Sequence, residues 1–303
     1  MSRIEEALRR TTSKRTVSVQ EQEQEQVQVQ PDPFESAWTF QDGRPTETAD
    51  HSRPLHRPAG VEGGAVISGF NSQWKERLIV SPDAEPYLVE QFRRLAATLH
   101  QAQISNNVRK VLLTSALPGD GKTLTAINLA LTLGESYKRR VLLVDADLRR
   151  PSIRDVSHLP NVMGLADALR ATTEQKLTVF QLTPHLALLP AGRPDPDPMS
   201  GLTSARMRHI LDDACAHYDW VIIDAPPVGT VADASIVAEM TDATLLVIRA
   251  GRTSCPLTQK AIEAVGRERI LGVVLNAVED VEATAYGYYQ YQSAVVDQRL
   301  APR

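Results

Sequence analysis

The feature that most constrains the fold is a series of short, almost wholly apolar runs separated by helix-patterned stretches. Residues 111–114, 141–144, 186–189, 220–223, 243–248 and 270–275 are such runs. A strand that is apolar on both faces must be covered on both faces. The cover comes from residues 124–133, 207–216, 232–240 and 259–267, which read as helices. In the first of them Leu124, Ile127 and Leu131 recur at helical spacing, and Gly134 reads as the stop. Strand and helix in alternation predict an α/β fold, a mostly parallel sheet with helices on both faces. Ligands of such sheets bind at the carboxyl ends of the strands. Each polar motif of this chain falls at one of those ends.

The first eighty residues are of another kind. Between residues 20 and 30, glutamines alternate with Glu21, Glu23, Glu25, Val27 and Val29, so both faces are polar for most of its length. Pro31, Pro33, Pro45, Pro54 and Pro58 follow, then Gly60, Gly63 and Gly64. Such a segment buries too little apolar surface to offset its ordering entropy. Residues 1–80 are therefore expected to be a mostly disordered, low-complexity linker. Two islands stand out, a short N-terminal helix around Ile4 and Leu8 and an aromatic stretch of Phe34, Trp38 and Phe40. Residues 81–285 are expected to form the folded domain, and residues 286–303 a tyrosine-rich tail.

Composition removes several function classes. The net charge of −4 gives no global basic surface for nucleic acid. No apolar run approaches the ~18 residues of a membrane span, and the first ten residues lack the apolar region of a secretory signal. Cys215 and Cys255 have no metal-ligand spacing. The expectation is a reduced, cytoplasmic, soluble protein with no nucleic-acid partner.

Three motifs carry chemistry. Residues 116–123 read Ala-Leu-Pro-Gly-Asp-Gly-Lys-Thr, after a strand and at the start of a helix. That context makes a phosphate loop, whose amides and helix dipole face an anion. Gly119 and Gly121 admit close backbone approach, Lys122 reaches the outer phosphates, and the Thr123 hydroxyl suits Mg²⁺. Pro118, Asp120 and Leu124 complete the lining. Ala116 stands where the strict pattern has glycine. The second motif, residues 144–151, reads Val-Asp-Ala-Asp-Leu-Arg-Arg-Pro. Asp145 and Asp147, two apart at a strand end, leave on the same side. One can help position Mg²⁺ and the other accept a proton, with Arg149 and Arg150 as neutralising cations. The third is Asp224, at the end of the run 221–223 and before Ala-Pro-Pro, the usual second acidic position of a phosphate site.

With these motifs the chain resembles the bacterial tyrosine kinases, the BY-kinases of exopolysaccharide and capsule systems, over residues 81–291. The resemblance rests on residues 115–123, 144–151 and 223–228 and on a cluster of four tyrosines, Tyr286, Tyr288, Tyr289 and Tyr291. It implies a P-loop fold that binds ATP with Mg²⁺ and transfers the γ-phosphoryl group to tyrosine. Lys122 and Thr123 then hold phosphate and metal, Asp145 and Asp147 share base and metal roles, and Asp224 completes the metal site. Asn276 matches the place where relatives contact adenine. The tyrosine cluster, flanked by Gly287 and glutamines, has no core pattern. As phosphate acceptors, each gains about −1.5 to −2 charge. From Asn276 to Tyr286 is ten residues, extended at most ~35 Å, enough to reach a neighbouring subunit. The resemblance also implies self-association, a membrane-embedded chain-length regulator as activator, a cognate phosphotyrosine phosphatase, and a peripheral place at the inner face of the cell membrane through that partner.

Two departures and two alternatives belong beside it. Family members often carry Glu, Arg and Arg at three-residue spacing on an interface helix. Here Glu90 and Arg93 fit, but position 96 is Ala. No spanning anchor accompanies the domain, which matches the split form of the family. A partition- or division-site-type ATPase shares the fold, but usually has a second lysine five residues before the main one, where this chain has Leu117. A non-catalytic, ATP-dependent scaffold of polysaccharide export is the other alternative, and the full set of carboxylates argues against it.

Overall fold

The computed structural model describes residues 35–38, 70–156, 162–172 and 177–278. Eight strands form one sheet: β1 (Glu35–Trp38), β2 (Lys110–Ser115), β3 (Val141–Asp145), β4 (Leu177–Gln181), β5 (Leu186–Leu189), β6 (Trp220–Asp224), β7 (Ala243–Arg249) and β8 (Ile270–Asn276). Their spatial order is β1-β4-β5-β3-β6-β2-β7-β8. The six strands from β5 to β8 in that order run parallel and are the six apolar runs of the sequence. Strands β4 and β1 extend the sheet at one edge by antiparallel pairing, Phe180 opposite Leu188 and Trp38 opposite Leu177. Neither was expected. Both are short and lie at the margin, where a continuous apolar run is not required.

The helices are α1 (Ser72–Lys75), α2 (Pro86–Asn106), α3 (Lys122–Glu135), α4 (Ile153–Val156), α5 (Leu165–Arg170), α6 (Met199–Leu202), α7 (Ala205–His217), α8 (Asp233–Ala238) and α9 (Cys255–Val265). Because side chains alternate across a strand, the sheet supplies two cores. Val111, Leu113, Leu143, Ile222 and Leu245 face α2 and α3. Leu112, Leu142, Ile223 and Leu246 face α5, α7, α8 and α9. Each fully buried Leu or Ile contributes about 1.5–3 kcal/mol.

Helix α3 is buried from Thr125 to Gly134. It ends at Glu135, one residue past the expected stop at Gly134. A Cβ on Gly134 would lie 3.3 Å from the Cβ of His185, so the small size of the glycine also serves packing. Packing also begins before residue 81. Phe70 and Leu78 are buried against this core, and the Asn128 side chain ties the segment down, accepting from Ile79 N at 3.0 Å and donating to Arg77 O at 3.0 Å. Two apolar residues and one buried amide suffice, a signal too sparse for composition to register. On α2, Glu90 pairs with Arg93 and Arg94, whereas Ala96 is fully buried. Position 96 faces the core, which accounts for alanine there. The Ile4–Leu8 island lies outside the described residues.

Candidate active site

The strand order creates the site. The chain passes from β2 to β3, and β6 later inserts between them, while β7 and β8 add on the other side of β2. The direction of winding reverses at β2, and a crevice opens at such a point beyond the carboxyl ends. Residues 116–121 follow β2 and lead into α3 there. Asp145 and Asp224 end β3 and β6 as direct neighbours in register.

Gly119 and Gly121 adopt φ of 82° and 97°, the left-handed region that side chains avoid. At Gly121 there is also no room: a Cβ would lie 1.9 Å from Nδ2 of Asn276. That amide donates to Asp120 O at 2.9 Å, so the end of β8 clasps the phosphate loop. Asn276 therefore stands at the phosphate loop. Asp120 is fully buried. One of its oxygens accepts from Leu117 N at 3.0 Å and the other from the Thr253 hydroxyl at 2.9 Å. Asp120 is thus a structural strut of the loop. Ala116 has no positive φ, so the glycine of the strict pattern is not needed there.

Lys122 Nζ lies 3.2 Å from Asp147 Oδ2 and 3.4 Å from Asp224 Oδ1. The Thr123 hydroxyl donates to Asp224 Oδ2 at 2.7 Å and lies 3.4 Å from the Ser152 hydroxyl. Asp145 accepts from the backbone N–H groups of Asp147 and Ile153, both at 3.2 Å. Lys122, Thr123, Asp145, Asp147 and Asp224 are therefore brought together as expected. Burial, followed by the charge of Asp224, pushes the Asp145 carboxyl up to about 8. Burial also raises Asp224, against the opposing pull of Lys122 and the Thr123 hydrogen bond. For Lys122, burial acts downward, but the charges of Asp224, Asp147 and Asp145 outweigh it and the net shift is upward, so it stays an ammonium.

Three carboxylates face one ammonium, an imbalance that a further cation would relieve. The oxygen donors Thr123 Oγ1, Asp147 and Asp224 fit Mg²⁺. Among the described residues no group of three or more His, Cys, Asp or Glu is arranged to hold a metal. Mg²⁺ sites of nucleotide enzymes need fewer, since phosphate oxygens and waters complete the shell.

Nε and Nη2 of Arg149 bind both oxygens of buried Asp233, at 2.7 and 3.1 Å, and its Nη1 donates to Pro196 O. The guanidinium fork bridges the 145–151 loop to α8 as a tether. Bidentate pairing to a buried carboxylate explains the preference. Thr253, Arg252 and Ser152 touch the site and were not anticipated. They carry no motif, and the strand order alone brings the 250–254 loop to the phosphate loop. Tyr286, Tyr288, Tyr289 and Tyr291 lie outside the described residues. No helix of the described residues is long and apolar enough to cross a membrane.

Comparison with known proteins places this site in a family. The family model described as cellulose biosynthesis protein BcsQ matches residues 109–275. The tyrosine-protein kinase YwqD of Bacillus subtilis (strain 168) is 35% identical over 229 residues, covering 74% of this chain and 96% of the relative. The tyrosine-protein kinase wzc of Salmonella typhimurium is 32% identical over 238 residues, covering 75% of this chain but 32% of that longer protein. Among solved structures, the kinase domain of Escherichia coli tyrosine kinase ETK superposes with a TM-score of 0.59 at 31% identity, covering 63% of this chain and 75% of that one. The phosphate loop, the acidic strand ends and these likenesses agree: the chain belongs to the bacterial tyrosine-protein kinases, the BY-kinase family.

Proposed function

We propose that the chain is an ATP-dependent tyrosine autokinase that regulates exopolysaccharide or capsular polysaccharide synthesis or export. Its acceptors are Tyr286, Tyr288, Tyr289 and Tyr291 of a neighbouring copy. The observation that carries this reading is the convergence of Lys122, Thr123, Asp145, Asp147 and Asp224 at three adjacent strand ends. A plain phosphate-binding loop needs no second pair of carboxylates. A group that accepts a proton from an attacking phenol does.

The loop amides and Lys122 hold and orient the triphosphate. To reach it, Lys122 must leave Asp147 and Asp224, whose carboxylates then face the incoming ligand. Thr123, Asp147 and Asp224 would hold Mg²⁺, which when bound would neutralise charge at the phosphate oxygens. The tyrosine oxygen forms a bond to the γ-phosphorus, the bond from that phosphorus to the β–γ bridging oxygen breaks, and ADP leaves. The phenolic proton passes to a carboxylate of the Asp145–Asp147 pair. Of the two, Asp147 is slightly exposed and the nearer to solvent, whereas burial and the charge of Asp224 favour the protonated form of Asp145. A membrane-embedded chain-length regulator as activator, a phosphatase that resets the tail, and a peripheral place at the membrane complete the proposal. The resemblance of this chain to wzc and ETK supports the membrane partner.

Phosphotyrosine mapping after incubation with ATP tests it. A mixture of Lys122→Ala protein with tail-deleted protein is expected to label the tail of the inactive copy. Replacement of the four tyrosines by Phe is expected to remove most labelling and leave ATP binding intact. Labelling confined to Tyr87, Tyr137 or Tyr218 would refute the tail as acceptor.

A further inference from the structure

We propose that Arg252, on the loop between β7 and α9, is a second phosphate-binding cation of the nucleotide site. We propose further that Thr253 and Asp120 position it. The inference rests on the reading of the site as an ATP site.

Two independent observations support it. The first is placement. Nη1 of Arg252 lies 2.8 Å from where a Cβ on Gly119 would sit. Its guanidinium therefore lies on the backbone of the phosphate loop, whose amides are the ligands of a bound triphosphate. Glycine at 119 serves both the φ of 82° and this close approach. The second is attachment. The Thr253 hydroxyl donates to Asp120 Oδ1 at 2.9 Å. Asp120 is itself fully buried and fixed to Leu117 N. The same 250–254 loop is held to β8 by Ala250 N donating to Asn276 O at 2.9 Å and turned back by Thr253 N donating to Arg249 O at 3.0 Å. Gly251, at φ of 70° with no atom within 4 Å of a Cβ position, makes the turn through conformation alone. The loop that carries Arg252 is thus pinned to the phosphate loop through the buried side chain of Asp120.

The side chain held there is uncommitted. Arg252 is exposed, and among the described residues no hydrogen bond or ion pair engages its guanidinium. Arg149 shows the opposite, its fork spent on Asp233. An unpaired planar guanidinium is suited to phosphate oxygens, which it meets in bidentate fashion. Lys122 supplies the point charge from inside the loop, and Arg252 supplies the fork from outside it.

The test is titration of the full chain with ATP and with inorganic tripolyphosphate, for wild type, Arg252→Ala, Arg252→Lys and Thr253→Val. Arg252→Ala is expected to weaken both ligands by the same factor, about 10- to 100-fold for a lost charge-assisted contact. Arg252→Lys should recover part of the loss. Thermal midpoints should not move, because the side chain is exposed. Thr253→Val is expected to weaken ATP less, and the double variant Arg252→Ala/Thr253→Val to bind no worse than Arg252→Ala alone. ATP affinity in Arg252→Ala equal to wild type would overturn the proposal while leaving the ATP site intact. Loss of ATP affinity with tripolyphosphate unchanged would overturn the phosphate role, and additive losses would overturn the positioning by Thr253. Wild-type protein that binds neither ligand would remove the ATP-site reading and this inference together.

Discussion

Gly121→Ala isolates how the fold makes the phosphate loop. At this position φ is 97°, and the new methyl would lie 1.9 Å from Asn276 Nδ2. The left-handed backbone costs about 1–2 kcal/mol for a residue with a Cβ. The clash also drives the Asn276 amide off Asp120 O, its partner at 2.9 Å, and a lost hydrogen bond costs about 1 kcal/mol. Together these cost about 2–3 kcal/mol, which at about 1.4 kcal/mol per decade predicts ATP affinity ~30- to 150-fold weaker. Asn276→Ala alone removes only the hydrogen bond and should weaken ATP about fivefold. The double variant loses that hydrogen bond once, not twice. It should bind at about the Gly121→Ala level, roughly fivefold better than the product of the single effects. Titration with a fluorescent nucleotide reads all four proteins. Strict additivity, or a Gly121→Ala protein with wild-type affinity, would refute the reasoning.

Lys122→Ala should abolish phosphoryl transfer. It should also destabilise the ligand-free fold by about 3 kcal/mol, because two nearly buried carboxylates lose their counter-charge; an unchanged denaturation midpoint would contradict the pairing with Asp147 and Asp224. Asp145→Asn, Asp147→Asn and Asp224→Asn should each cut turnover by orders of magnitude and nucleotide affinity by less, since the loop amides remain; normal rates in all three would rule out the proposed chemistry. Asp167 gives a pH dependence away from the site. Burial alone would raise it, but the Arg193 guanidinium and the N–H groups of Gly164 and Arg193 hold it below the ordinary carboxylate range. A depressed folded-state pKa contributes stability above the unfolded value, lost as pH falls through the folded one. Denaturation of wild type and Asp167→Asn near neutral pH and in acid should therefore show the larger acid loss in wild type, and equal losses would contradict the assignment.

Much of the fold was legible in the chain because burial on both faces writes itself as a run of apolar residues. All six parallel strands carry such a run, but β8 departs from the rule: as an edge strand it leaves Leu271, Val273 and Leu275 exposed on one face among the described residues, and each acidic or phosphate-binding motif follows one of the other five. The carboxylates and lysine of the site were legible for the same reason, since a strand end fixes where a side chain leaves the sheet. The marginal strands β1 and β4 were not, nor was the packing before residue 81, where the side chain of Asn128 on another element holds Arg77 and Ile79. What only the tertiary structure decided are the pairings between strand ends distant in sequence. Asn276 meets Gly121 because β8 lies two places from β2 in the sheet. Arg149, an unmarked choice between ligand and tether in the sequence, is drawn to buried Asp233 on α8. Arg252 reaches Gly119 because β7 is the direct neighbour of β2. Local pattern records whether a residue is buried and when the chain turns. It does not record strand order, and strand order determines which distant charges share one low-dielectric crevice.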